Sequence, residues 1–98
     1  ALRERVAELA TRLRDGLSSL GVRLLGFGHV VPVLVGESAR AVDLSRRLAE
    51  HGVHIPPIRP PTVPDGTARL RITVTARHEP KDIDAVINAF RRVIGASG

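Results

Sequence analysis

Leu2, Val6, Leu9, Leu13, Leu17 and Leu20 recur at intervals of three and four, which stacks apolar side chains on one face of a helix. The pattern predicts an amphipathic helix from residue 2 to about 20, ended by Gly21, a residue suited to the left-handed cap. Val22 to Leu25 reads as a short strand, and Gly26 and Gly28 flank Phe27 in a turn. Val30 to Val35 is a continuous apolar run, hence a buried strand, with Pro32 arguing for an edge position or a bulge because proline has no ladder donor. Ser38 is a candidate cap for a helix from Ala39 to His51, with Ala41, Val42, Leu44, Leu48 and Ala49 facing inward and Gly52 ending it. Val53 to Ile55 is a short extended piece.

From residue 68 to 75 the period changes to two. Ala68, Leu70, Ile72 and Val74 share one face, and Arg69, Arg71, Thr73 and Thr75 the other. Pro80 then opens a helix through Ile94 with Ile83, Val86, Ile87, Phe90, Val93 and Ile94 as its apolar stripe. The order is helix, strand, strand, helix, short strand, loop, strand, helix. It predicts an α+β fold: one two-layer small domain, helices packed on one face of a small, mostly antiparallel sheet. No internal repeat and no disordered linker interrupts residues 1–98.

Composition narrows the chemistry. A chain of 98 residues builds one domain with a modest core. It has no cysteine, which removes disulfides, thiolate metal ligands and cysteine nucleophiles and is compatible with the cytoplasm. No apolar run approaches a membrane-spanning length, so no membrane partner is expected. The net charge of +5 rests on 15 basic residues, all but Lys81 arginine, and these are interleaved with acids as in Arg3, Glu4, Arg5 and Glu8. With two phenylalanines and no tyrosine or tryptophan to stack bases, the chain is not read as a nucleic-acid binder. It has no methionine and opens on Ala1 inside a helical pattern, which reads as a piece of something longer.

Candidate chemistry concentrates in residues 58–72. Pro56, Pro57, Pro60, Pro61 and Pro64 fix φ and remove donors, predicting a stiff, extended loop. It leads into the strand whose Arg69 and Arg71 leave the same face, where a planar guanidinium suits a carboxylate or phosphate; the competing reading is a solvated surface strand. Thr62 either donates its hydroxyl to the same anion or fixes the turn, and composition favours the turn. His51 and His54 are separated by Gly52 and Val53, which break the helix that would align them, so no metal site is expected. His78, before the last helix, reads as a structural residue meeting a backbone group. Lys81, the one lysine, reads as exposed rather than as a buried amine of lowered pKa. No nucleophile with an adjacent base is evident, so the residues by themselves do not make a complete catalyst.

The stretch from Gly52 to Ile72, with Arg59-Pro60-Pro61-Thr62-Val63-Pro64 and Ala68-Arg69-Leu70-Arg71-Ile72, resembles the C-terminal domain of the α-oxoamine synthases, pyridoxal-phosphate enzymes of the aspartate-aminotransferase fold. Thr73 to His78, Asp82-Ile83-Asp84, Val33-Leu34-Val35-Gly36 and the helix from Ala39 to Gly52 fit as well, so nearly the whole chain takes part. The Arg-Pro-Pro-Thr-Val-Pro wording points to the biotin-pathway branch, which condenses L-alanine with a pimeloyl thioester, carried by coenzyme A or a carrier protein, and releases carbon dioxide. The resemblance implies that Arg71 binds the α-carboxylate of the amino-acid substrate, that Thr62 contacts substrate, and that Arg59 lies close to the same pocket. It also implies a cytoplasmic homodimer.

The family's Schiff-base lysine and other cofactor ligands belong to a large domain with no counterpart in these residues. The chain is therefore expected to be the small C-terminal domain alone, binding no pyridoxal phosphate and inactive by itself. A free-standing anion-binding or interaction domain of the same fold is the alternative. Glu79 stands where family members often have a small hydroxyl residue, so the last helix is expected to have a weaker N-terminal cap.

Overall fold

The computed structural model describes residues 2–26 and 28–97, with side chains through residue 94; Phe27, placed in a turn by the sequence, lies outside them. The elements are α1 (Leu2–Ser18), β1 (Arg23–Leu24), β2 (Val30–Gly36), α2 (Ser38–Glu50), β3 (Pro57–Ile58), β4 (Ala68–Thr73) and α3 (Pro80–Ser97). The strands form one antiparallel sheet in the order β1-β2-β4-β3. This is the two-layer α+β architecture expected from the pattern of elements.

Period-two alternation decides which sheet face is covered. Val31 and Val33 of β2 and Ala68, Leu70 and Ile72 of β4 are buried, as is Val74 beyond it. All of these but Ala68 meet Leu9, Ala10, Leu13 and Leu17 of α1, Leu48 of α2 and Ile83, Ile87, Phe90 and Val93 of α3 in one core. Phe90, Leu13, Leu17, Leu48 and Leu70 are fully buried. The opposite sheet face is left with Arg71 and Thr73 exposed. Two apolar positions depart from the helical stripes. Leu2, in the first turn of α1, is exposed, and Val42, expected inward, lies toward solvent beside buried Ala41.

Helix ends follow the sequence in part. α2 closes with Gly52 at φ 80° and with Val53 N–H donating to Leu48 C=O at 3.0 Å, the six-to-one bond of a Schellman motif. Its start differs from expectation: Glu37 is the N-cap, Ser38 is already helical, and the Glu37 side chain makes no capping bond among the described residues. At α3, Asp82 Oδ2 accepts the Glu79 N–H at 2.8 Å, which is the return half of a capping box without its serine or threonine. Arg5 of α1 donates to the Ala76 and His78 carbonyls at 3.1 and 3.0 Å, tying α1 to the turn before α3.

Pro32 does not sit at an edge, and the bulge lies further on, between Leu34 and Gly36. β2 is central, and the ladder tolerates Pro32 for a local reason. Its carbonyl accepts the Leu25 N–H at 2.9 Å, so its missing donor faces the β1 side, where β1 has only two residues.

Candidate functional site

The proline-rich segment is more structured than an extended loop. Pro57 and Ile58 pair with Leu70 and Arg69 as β3. The chain then reverses through Arg59-Pro60-Pro61-Thr62, where the Pro60–Pro61 bond is cis and Thr62 N–H donates to Arg59 C=O at 3.1 Å, a type VI turn. A second turn is closed by Thr67, which donates both N–H (3.1 Å) and hydroxyl (2.5 Å) to Pro64 C=O. The Thr62 N–H therefore closes the first turn, and its side chain is exposed.

Antiparallel pairing places directly opposed side chains on one face. Leu34 opposes Arg69, Pro32 opposes Arg71 and Val30 opposes Thr73, while Ile58 opposes Arg69 from the other side. The outer face is thus a strip of half-buried apolar side chains with two arginines in its middle row. The two arginines are not equivalent. Arg69 is partly buried and its Nε donates to Thr67 C=O at 3.1 Å, so its guanidinium turns back toward the loop. Arg71 is exposed, and among the described residues its side chain has no hydrogen bond or ion pair.

Arg71 also lies on the wall of a groove of about 670 Å³ that runs along the β4 edge beyond the end of β3, with His54, Ile55, Thr73, His78 and Ile83 among the other walls. His78 is fixed there by accepting the Thr75 N–H at Nδ1, 2.9 Å away, the backbone-bonding role its sequence position suggested. Arg59 and Thr62 do not line this groove. The register explains why. Pro57 is level with Leu70, so Arg59 is level with Ala68, about 10 Å along the strand from Arg71 at roughly 3.3 Å per residue.

Lys81 is the one lysine. It lies at the start of α3 with 80% of its side chain exposed, 3.3 Å from Glu79. An amine this exposed and paired with a carboxylate does not fit the part of a cofactor-holding lysine. His51 and His54 are exposed, and among the described residues no group of His, Cys, Asp and Glu is arranged to hold a metal. No helix is long and apolar enough to cross a membrane among them.

Sequence spacing did not single out Arg14. Its guanidinium in α1 gathers four backbone carbonyls of the β1–β2 connection: Gly28 from Nε at 3.2 Å, Leu25 and Gly26 from Nη1 at 3.3 and 3.2 Å, and Val30 from Nη2 at 2.9 Å. The available signal was a charge beside the Leu13–Leu17 stripe, followed by the glycines Gly26 and Gly28.

Residues 1–90 match the aminotransferase class I and II family, and the chain belongs to that family. Within it, the chain is similar to proteins named 8-amino-7-oxononanoate synthase. It is 45% identical over 96 residues to that of Aeromonas salmonicida (97% of this chain, 24% of the relative). It is 43% identical over 94 residues to that of Alkalilimnicola ehrlichii (95% and 24%). In structure it is similar to serine palmitoyltransferase from S. paucimobilis with a bound PLP–myriocin aldimine, at TM-score 0.87 and 31% identity, covering 96% of this chain and 25% of that one. Serine palmitoyltransferase is an α-oxoamine synthase, so the resemblance carried by residues 52–72 holds. The chain spans about a quarter of the length of these relatives.

Proposed function

We propose that this chain is the substrate-carboxylate-binding C-terminal part of an 8-amino-7-oxononanoate synthase, which condenses L-alanine with a pimeloyl thioester, of coenzyme A or a carrier protein, with loss of carbon dioxide. The observation that carries it is the contrast within β4: Arg69 is committed to Thr67, while Arg71 presents an uncommitted guanidinium at the wall of a groove. A planar five-donor fork binds a carboxylate through two parallel bonds, which fixes the orientation of the amino acid about its Cα as well as holding it. Orientation of that kind selects which Cα bond is set for cleavage. The identities of 43 and 45% to proteins named for this activity support alanine over the serine of the 31% structural neighbour.

Thr62 and Arg59 enter this reading as further substrate contacts on the family resemblance alone, since neither lines the groove at Arg71. Pyridoxal phosphate, when bound to the intact protein, would supply the electron sink for decarboxylation and carbon–carbon bond formation. The residues described here do not fit the holding of that cofactor, and the chain alone is proposed to be inactive. The intact protein is proposed as a cytoplasmic homodimer, with light scattering of the full-length protein at about twice its chain mass as the check.

The test is Arg71→Ala and Arg71→Lys in the full-length protein, with L-alanine and L-serine compared as donors. Loss of a charge-assisted pair is worth about 1.5–3 kcal/mol, so the KM for L-alanine should rise on the order of 10- to 100-fold in Arg71→Ala. The KM for the thioester should hold. An unchanged KM for L-alanine in the folded variant removes Arg71 from the site.

A further inference from the structure

β4 is supported unevenly. β3 pairs with it at Arg69 and Leu70, and Pro56 C=O takes the Arg71 N–H at 3.2 Å, but past that point no strand lies on the β3 side among the described residues. From Arg71 to Thr73 the one ladder neighbour is the beginning of β2, through Pro32↔Arg71, Ile72↔Val31 and Thr73↔Val30. The ladder continues one step beyond β4, where Val74 N–H donates to His29 C=O at 2.9 Å. The position of Arg71 therefore depends on where β2 begins.

That beginning has little ladder of its own on its far side. β1 pairs only with Leu34 and Val33, and a single further bond joins Leu25 N–H to Pro32 C=O. Val30 C=O faces the same side, past the end of β1. There Arg14 Nη2 occupies the place a strand would take, while Nη1 and Nε hold Leu25, Gly26 and Gly28. A lysine has one ammonium and cannot reach four carbonyls spread over six residues; the planar guanidinium can.

We propose that Arg14 is a positioning residue for the amino-acid site. By gripping the β1–β2 connection it fixes the start of β2, and through the Thr73 and Val74 pairings it fixes the part of β4 that carries Arg71. The proposal rests on the reading of Arg71 as the carboxylate ligand. It adds that the geometry of this ligand is set from α1, on the far side of β2.

The experiment uses the full-length protein with Arg14→Gln and Arg14→Lys, and Arg12→Gln as a control that also removes an α1 arginine tether. Two quantities are read: the KM for L-alanine against that for the thioester, and hydrogen exchange of the Val74 amide. Misplacement of a positioning group by about 1 Å can cost on the order of 100-fold, and a smaller shift costs less. Arg14→Gln should therefore raise the KM for L-alanine about tenfold, leave the thioester KM within about twofold, and speed exchange at Val74. Arg14→Lys should fall between Gln and wild type, and Arg12→Gln should match wild type in both KM values and speed Val74 exchange by no more than its loss of global stability accounts for.

A purely structural role predicts faster exchange with no selective change in the L-alanine KM, and that result overturns the proposal. So does a folded Arg14→Gln in which neither quantity moves. Should Arg14→Gln fail to fold, Arg14→Lys decides by the same two readouts. If the wild-type protein binds no amino acid, the synthase reading fails instead. Exchange at Val74 then still decides whether Arg14 holds β2.

Discussion

Arg12 and Asp84 join α1 to α3 as a two-pronged pair, Nε to Oδ1 at 2.9 Å and Nη2 to Oδ2 at 2.8 Å. The two hydrogen bonds first, and the guanidinium charge after them, hold the Asp84 carboxyl below its ordinary value of 3.8. A carboxylate favoured in the folded state stabilises the fold above the unfolded pKa, and that contribution is lost as pH falls through the lower folded value. Because both side chains are about half exposed, 50 and 46%, solvent and salt weaken the effect. Acid titrations of stability for Asp84→Asn should therefore fall less steeply than wild type below about pH 4. Parallel curves would mean that the pair is fully screened.

The same seam contains a close approach that depends on glycine. A Cβ built on Gly16 would stand 2.9 Å from Cγ1 of Ile87, a stiff branched side chain only 8% exposed. Gly16→Val should cost about 1–3 kcal/mol by overpacking. Urea unfolding reads that cost directly. Combining it with Ile87→Ala should give less than the sum of the two single losses, because the smaller side chain vacates the space. Strict additivity would place the strain elsewhere.

The elements that sequence made legible are those in which one periodicity ran unbroken. Leu9, Leu13 and Leu17, the apolar members of the alternation from Ala68 to Val74, and Ile83, Ile87, Phe90 and Val93 are buried where expected, with Val86 of the last stripe partly buried. What escaped depended on partners distant in the chain. Pro32 argues locally for an edge, but its tolerance follows from a β1 too short to need its N–H. The turn at Arg59–Thr62 requires a cis Pro60–Pro61 bond that composition does not declare. Of the proposed site residues, Arg71 was legible because a two-residue spacing fixes its face. That Arg69 would turn to Thr67 and Arg71 would not is settled by the loop. Arg14 was illegible because its acceptors are carbonyls, which every residue has.

The start of α3 offers a gain in stability. Glu79 occupies the N-cap position and Asp82 returns a bond to its N–H, while among the described residues the Glu79 carboxylate pairs with Lys81 and not with a backbone N–H of the first turn. Glu79→Thr completes the box, because a hydroxyl there can accept the Asp82 N–H, which now donates to the Glu79 carbonyl at 2.9 Å. Thermal unfolding should show about 0.5–1 kcal/mol of stabilisation. Asp82→Ala should lose a similar amount and remove most of the benefit of threonine. A threonine variant no more stable than wild type would show that the first turn is already satisfied by water.

Arg69 and Arg71 share strand, face and residue type, so any non-specific contribution of positive charge should treat them alike. The structure separates them by one bond, Arg69 Nε to Thr67 C=O at 3.1 Å, which draws one guanidinium toward the loop and leaves the other at the groove. In the full-length protein, Arg69→Ala should lower stability by about 1 kcal/mol through that lost bond and leave the KM for L-alanine within about threefold. Arg71→Ala should do the reverse, with little change in melting and a large rise in KM, since its side chain makes no bond that folding would miss. Equal kinetic losses at the two positions would indicate a diffuse basic face in place of a defined carboxylate ligand, and a loss confined to Arg69 would move the site toward the Thr67 loop.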